Sequence, residues 1–511
     1  MNRYSIKIVT LAIMLFASQQ AMAQGVLVKT TDGKIIEISA EHLQRITPVT
    51  DATGAGFVIS RTNGKELRVD GQTLRRIDTY EGDYQGERTV EGSEPKMVTM
   101  SQQSYIVGNM TYQVLPPMST PREGHLLIPS KDGFVAVGGH TTGLKLVKMA
   151  EEYTDGTWSD IPQNEPHDDG YAALLHDGRI LVGGGYSGDS LKGYSRPAEV
   201  FDPVAKTFTV NARTRLSRAR AKAVTAGENV YVSGNWQYDL TGLPQYPPMD
   251  CYSTDTFKIV AAMEPRNRPY QLVNNKGEII EFANTGYYGE PVPNDKNGDY
   301  WGDLYNPAQP KKMYIQPIKL FNTWKPLDLS ADVHSWNYRD SLTNKYYFLT
   351  QNKKGVYGIV EYNNLTFDVY DVPSVDPETR VPMTFRGGAY VNAALSEAYF
   401  IGCSQGEQGY TLYIMTFHYT MFGRSLSIGR AGPFEMNPLA ASWLLLPDGR
   451  LACVGGEADG RPLASAYIFT PLHDDSSRSS NARGVSNGTV PVQSRIIECM
   501  ESVVLEQPYL K

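Results

Sequence analysis

Four arginines stand where a charged ligand could be held: Arg122 in "PREGH", Arg218 in "SRAR", Arg266 in "EPRNR" and Arg386 in "FRGG". A guanidinium is a rigid fork of N–H donors that fits a carboxylate, sulfate or phosphate. In a chain of formal net charge −7 such groups would make a local positive patch, which suggests an acidic ligand. The competing use is structural, each guanidinium bonding neighbouring carbonyls. Two stretches near these positions are rich in rings: "NWQYDLTGLPQYPP" (Trp236, Tyr238, Tyr246) and "GYYGEPVPNDKNGDYWGDLY" (Tyr287, Tyr288, Tyr300, Trp301, Tyr305). Exposed rings with a polar rim suit sugar faces and protein partners alike, unless the loops pack on one another as a lid. His334 and Trp336 in "VHSWN", and His125, are either ligand contacts or satisfied core residues. Asp168, Asp169, Glu123 and His334 are the candidates for a general acid or base.

Other motifs exclude more than they suggest. "GGGYSG" at 183–188 matches G-x-G-x-x-G and follows the apolar run "RILV". The segment after it, "DSLKGYSRPAEVFDP", has no helical period, so no helix N-terminus is there to receive a pyrophosphate. "DKNGDYWGD" places Asp295, Asn297, Asp299 and Asp303 at odd positions like a calcium loop. It lacks the glycine at position six and the glutamate at position twelve, so calcium is a weak candidate and no other cofactor is expected. Neither G-x-S-x-G nor H-E-x-x-H occurs, and the familiar hydrolase motifs are absent. The four cysteines (Cys251, Cys403, Cys453, Cys499) are far apart with no C-x-x-C, which reads as buried free thiols or at most one pair.

Composition bounds the elements that must position these groups. With 511 residues, 41% of them hydrophobic, the chain can build one large domain and a smaller one. Its acidic balance gives no general attraction to nucleic acid. Residues 1–23 read as a secretory signal: Arg3 and Lys7, then "IVTLAIMLFA", then Ala21-Met22-Ala23. No cysteine follows the cleavage site and no second long apolar run appears, so a periplasmic or secreted protein without a transmembrane segment is expected, as a monomer. Residues 24–80 hold an internal repeat, "LVKTTDGKIIEISAEHLQRI" and "VISRTNGKELRVDGQTLRRI", each with an Asp-Gly or Asn-Gly pair between alternating apolar residues. That predicts two hairpins in a small accessory β module. A polar linker over 81–110 follows.

From residue 111 one layout recurs: an apolar strand, an Asp-Gly turn, a second apolar strand, a glycine pair, then a strand bearing aromatic residues. "PMSTPREGHLLIPSKDGFVAVGGH", "GYAALLHDGRILVGGGY" and "ASWLLLPDGRLACVGGE" are the clearest copies. The pair falls at Gly138-Gly139, Gly184-Gly185, Ser233-Gly234, Ala283-Asn284, Leu349-Thr350, Gly402-Cys403 and Gly455-Gly456, a period of roughly 50 residues. The repeat resembles the Kelch family over roughly residues 111–471. The resemblance implies an all-β fold, a Kelch-type β-propeller of seven blades (six is the alternative count) behind the small β module. "TYQVLPPM" at 111 lacks a partner, and "SAYIFTP" near the end would receive it as the fourth strand of the last blade. Residues 472–511 are left as a C-terminal tail.

The resemblance also places the arginines together, at the starts of inner strands around one face. A copper radical oxidase of the galactose-oxidase type needs a Tyr-His dipeptide, and this chain has only His418-Tyr419. Binding, catalytic and architectural readings follow. One is an exported propeller that binds an acidic glycan or a protein partner through Arg122, Arg218, Arg266, Arg386, His334, Trp336, Trp236, Tyr288 and Trp301. The other is a carbohydrate isomerase similar to Kelch-type sialic acid mutarotases, or an architectural part of a surface complex; binding without catalysis is favoured.

Overall fold

The computed structural model describes residues 25–30, 35–39, 43–51, 54–61, 66–70, 74–80, 88–90, 96–100, 103–186, 197–214, 218–234, 237–238, 244–245, 248–262, 266–284, 300–310, 312–364, 366–420, 423–473, 494–498 and 503–506. The chain divides into two compact units, Met1–Arg88 and Thr89–Lys511. In the first, Gly25–Thr30 pairs with Ile35–Ser39 and with Leu74–Tyr80, while Gly54–Arg61 pairs with Leu43–Asp51 and Glu66–Asp70. The two hairpins therefore form across the expected Asp-Gly and Asn-Gly positions. The signal segment lies outside the described residues.

The second unit is all-β and is laid out as a β-propeller. Consecutive stretches of chain each fold into a four-stranded antiparallel meander. Sheet 1 is Leu126–Pro129, Phe134–Val137, Met149–Thr154 and Thr157–Pro162. Sheet 2 is Tyr171–Leu174, Ile180–Gly183, Pro197–Asp202 and Thr207–Arg213. Sheet 3 is Lys222–Ala226, Asn229–Ser233, Pro248–Ser253 and Thr256–Ala262. Sheet 4 is Tyr270–Val273, Ile279–Phe282, Trp301–Tyr305 and Lys312–Pro317. Sheet 5 centres on Lys345–Asn352, Tyr357–Tyr362 and Thr366–Val372, and sheet 6 on Glu397–Gly406, Gly409–Thr420 and Gly423–Phe434. Sheet 7 runs Asn437–Leu445, Leu451–Ala458 and Ala466–Thr470, and its fourth strand is Thr111–Val114, with Tyr112 opposite Phe469. Among the described residues the helical content is a 3-10 turn at Lys319–Asn322, and no helix is long and apolar enough to cross a membrane.

The inner strands read as continuous apolar runs because both of their faces are covered. Leu126 and Ile128 of sheet 1 pack on Ala172 and Val182 of sheet 2, whereas Leu127 between them packs on Leu444 and Val454 of sheet 7. Side chains alternate across a strand, so a sheet buried on both sides needs apolar residues at every position. The glycine pairs sit where one sheet meets the loop entering the next. At Gly138 (φ +69°) a Cβ would stand 1.8 Å from the Pro166 carbonyl oxygen, and at Gly455 (φ +74°) 2.6 Å from that of Arg122. Only a residue without Cβ fits this approach and this backbone. In sheets 5 and 6 the second strand runs straight through the corresponding positions to Asn352 and Gly406 and turns at once, so no glycine pair is needed there.

Segments expected to be linker and tail carry strands as well. Gln103–Asn109 adds in parallel to the outer strand of sheet 6 and Lys96–Met100 pairs with it. Ser494–Glu498 and Val503–Glu506 add to the outer strands of sheets 5 and 4. Cys251, Cys403 and Cys453 are free and buried; Cys499 lies outside the described residues.

Candidate functional site

The loop entering each of the first four inner strands has one design. It begins with a buried basic side chain: Arg122, His167, Arg218 or Arg266. Each of these pairs with a carboxylate on the third strand of its own sheet: Arg122–Glu151 at 2.7 Å, His167–Glu199 at 2.8 Å, Arg218–Asp250 at 3.3 Å and Arg266–Asp303 at 3.1 Å. Arg122 also donates to the carbonyls of Gly138 and Met149, and Arg218 to that of Gly234. Arg386 of sheet 6 reaches Asp332 at 2.6 Å and the carbonyl of Ala441. This corrects the expectation that Arg122, Arg218, Arg266 and Arg386 face a ligand: they are at most 6% exposed and hold the frame. A buried guanidinium needs a carboxylate beside it, and each of the four has one.

Two residues beyond each of these side chains the backbone is left-handed: Gly124 (φ 67°), Asp169 (φ 55°), Arg220 (φ 59°) and Arg268 (φ 47°). These residues form a main-chain relay across successive sheets. Asp169 N–H donates to Gly124 O at 2.9 Å, Arg220 N–H to Asp169 O at 2.8 Å, and Arg268 N–H to Arg220 O at 3.1 Å. Glycine suits this backbone without strain, whereas an L side chain in it costs about 1–2 kcal/mol. Three of the four positions nevertheless carry charged side chains, and such strain is concentrated at functional sites.

Those side chains form one cluster at a partly exposed mouth. Asp169 lies between Arg220 Nε at 3.0 Å and Arg268 Nη2 at 2.6 Å, with side-chain exposures of 13%, 42% and 25% respectively. Burial alone would push the Asp169 carboxyl up, but Arg268 and Arg220 bring it below the usual carboxylate range. Beside it, His140 is held at both ring nitrogens, Nδ1 to Asp168 at 2.9 Å and Nε2 to Glu123 at 2.8 Å. Two carboxylate partners require both nitrogens to donate, so the ring is an imidazolium. The hydrogen bond it donates to Asp168 is the largest cause raising it, to about 9. Glu123, Asp168 and Asp169 are thus brought together, as candidates for acid–base work. His140 belongs to a small hairpin, His140–Thr141 against Lys145–Leu146, that follows the glycine pair of sheet 1.

Lys222, which feels the charges of Arg268 and Asp169, ties this cluster to sheet 5. Its inner strand is broken: Trp324–Pro326 and Arg339–Asp340 both pair with Lys345–Asn352, and residues 327–338 leave the sheet between them. Lys222, at the top of sheet 3, donates its ammonium to the carbonyls of Ser330, Ala331 and Val333 at 2.7–2.9 Å. Burial pushes this lysine down, to about 7. Tyr270 of sheet 4 donates to Leu327 O, and Ser335 to Ala223 O. His334 and Trp336 belong to this segment and stack at 4.3 Å; burial lowers His334 to about 3 and keeps it neutral. His125, buried between sheets 7 and 1, is lowered to about 3 for the same reason. Neither histidine is an exposed acid or base.

Trp236, Tyr288, Asp295, Asn297 and Asp299 lie outside the described residues, and Trp301 is described only as the start of a strand. Tyr300 and Tyr305, expected among exposed loop rings, are buried, and the Tyr300 ring packs edge-on against Phe321. Asp303, the last of the calcium candidates, is committed to Arg266. Among the described residues no group of three His, Cys, Asp or Glu is placed to hold a metal ion. The residues missed from sequence are Arg220, Arg268, His140 and Lys222. Their signal was present: in "RAR" and "RNR" the second arginine, not the first, lies at the left-handed position, and His140 directly follows its glycine pair.

No protein-family model matches the chain, and no curated protein matches it. Among solved structures it is similar to one titled "Structure of YjhT", at 9% sequence identity and a TM-score of 0.37, over 71% of this chain and 98% of that one.

Proposed function

We propose that this chain is an exported β-propeller, its seven sheets the blades of one closed ring, that binds an acidic glycan at the mouth formed by Glu123, His140, Asp168, Asp169, Arg220 and Arg268. One observation carries this reading. Asp169, Arg220 and Arg268 hold a strained left-handed backbone at positions where the frame needs only glycine, and they present both signs of charge to solvent. Arginine forks suit the carboxylate of an acidic sugar, and carboxylates suit its hydroxyls. Residues 1–23 supply the export signal.

The test is the thermal midpoint of the purified chain against neutral and acidic sugars, in the native sequence and in an Arg220→Ala/Arg268→Ala variant. Arg179→Ala serves as control, since Arg179 pairs with Asp177 in a turn of sheet 2. Ligand at 100 times its Kd adds about 2.7 kcal/mol, a readable shift. A shift with acidic sugars that the double variant loses and the control keeps supports the site; no shift with any sugar overturns it.

A second reading, exchange of sugar anomers, is favoured by the Glu123–His140–Asp168 arrangement. Anomer exchange needs one group to protonate the ring oxygen as another takes the anomeric hydroxyl proton. An imidazolium joined to two carboxylates can hold and pass such a proton. Anomer interconversion of a bound sugar, followed by NMR, would be faster than in buffer, and Glu123→Gln would slow it without abolishing binding.

A further inference from the structure

The His140 hairpin has a second side. A cleft of about 450 Å³ borders it, lined by Thr120, Thr141, Lys145 to Met149, Pro162 and Gln163. The hairpin thus contributes to both: His140 at its start joins the charged cluster, and Thr141, Lys145 and Leu146 line the cleft. Lys145 and Lys148 are exposed on it, and among the described residues neither has a carboxylate partner. Leu146, Val147 and Pro162 give it an apolar wall. Gln163, 8% exposed, donates its amide to the Glu165 carbonyl at 2.6 Å, while its side-chain oxygen is buried without a hydrogen-bond partner. A buried acceptor left without a donor is unfavourable.

We propose that this cleft is an outer subsite for the ligand held at the mouth, taking a further anionic sugar unit between Lys145 and Lys148. The ligand is then an acidic oligosaccharide, not a single sugar. This rests on the reading of the mouth as an acidic-glycan site. The apolar wall would receive the face of the sugar ring and the lysines its carboxylate.

The experiment is calorimetric titration of the full chain with galacturonic acid, N-acetylneuraminic acid, and the linear trimer of each. The variants are Lys145→Ala/Lys148→Ala in the cleft and Arg220→Ala/Arg268→Ala at the mouth. Both lysines are exposed, so their removal leaves the fold intact, which circular dichroism checks. The expected result is that one trimer binds at least tenfold more tightly than its monomer. The lysine variant brings that trimer to the monomer's affinity and leaves the monomer unchanged; the arginine variant weakens both. Equal affinity of monomer and trimer, or a trimer advantage that survives the lysine variant, overturns the subsite alone. Binding of none of the four sugars overturns the mouth reading, and the subsite with it.

Discussion

Asp332 receives the guanidinium of Arg386 at 2.6 Å although the two residues belong to different sheets, unlike the pairs Arg122–Glu151 and Arg218–Asp250. Asp332 sits in the segment that leaves sheet 5, and it also accepts Trp443 N–H of sheet 7 at 2.7 Å and Tyr390 O–H of sheet 6 at 2.9 Å. Burial would raise this carboxyl, yet Arg386 foremost, with the Trp443 N–H and Tyr390, holds it below the usual range. One carboxylate thus joins three sheets beneath the mouth.

Removing that carboxylate strands a buried guanidinium. Asp332→Ala should cost about 3–5 kcal/mol in urea unfolding. Asp332→Asn should cost less, since its amide oxygen can still accept from Trp443. An alanine variant within about 1 kcal/mol of the native protein would contradict this account.

The mouth should respond to alkaline pH through His140. Its pKa is raised from 6.5 to about 9 by the hydrogen bond to Asp168 and the charges around it, despite partial burial. The folded state therefore binds the proton more tightly than the unfolded one. The resulting stabilisation is complete below 6.5 and is lost as pH rises through 9. Urea midpoints compared at pH 6 and pH 9.5 should show a larger fall for the native protein than for His140→Gln.

A second window lies lower, at Glu281. This carboxyl is fully buried, accepts the hydroxyl of Ser233, and is raised from 4.5 to about 7 by burial, with the Asp303 charge adding to it. The equivalent position is Ala136 in sheet 1, Val182 in sheet 2 and Val232 in sheet 3. Raised above its unfolded value, the group stabilises fully below 4.5 and loses that contribution as pH rises through 7. Glu281→Gln should flatten the slope of stability between pH 5 and pH 8 and leave the alkaline slope of His140 intact.

The glycines separate crowding from conformation. Gly178→Ala meets nothing within 4 Å and pays only for its φ of +87°, about 1–2 kcal/mol. Gly138→Ala would also drive its Cβ to 1.8 Å from the Pro166 carbonyl, and should cost more than about 3 kcal/mol. Equal midpoints for the two variants would contradict the close approach between sheets 1 and 2.

Much of the frame was legible in the sequence. "SKDGF", "HDGRI" and "PDGRL" marked the hairpins, the glycine pairs marked the joints between sheets, and the unpaired "TYQV" found its partner in "AYIFT". These signals are local, since an Asp-Gly turn or an alternating apolar run is decided within a few residues. Sheets 4 and 5 were faint because Ala283-Asn284 and Leu349-Thr350 stand where the glycine pair falls elsewhere, and in sheet 5 the strand runs on through that position to Asn352.

The site was not legible in the same way. Sequence alone determined that cations precede the inner strands; only the tertiary structure decided which of them are buried in the frame and which face solvent. In "RAR" and "RNR" that choice depends on a left-handed backbone two residues along, and on a shared partner, Asp169, 51 residues from Arg220 and 99 from Arg268. The segment 327–338 carries no sign in its own residues that it leaves its sheet. Its place is set by Lys222, Tyr270, Arg386 and Trp443, on four other sheets. Local geometry follows from adjacent residues, whereas the partner of a buried charge is decided by which distant strands the fold brings beside it.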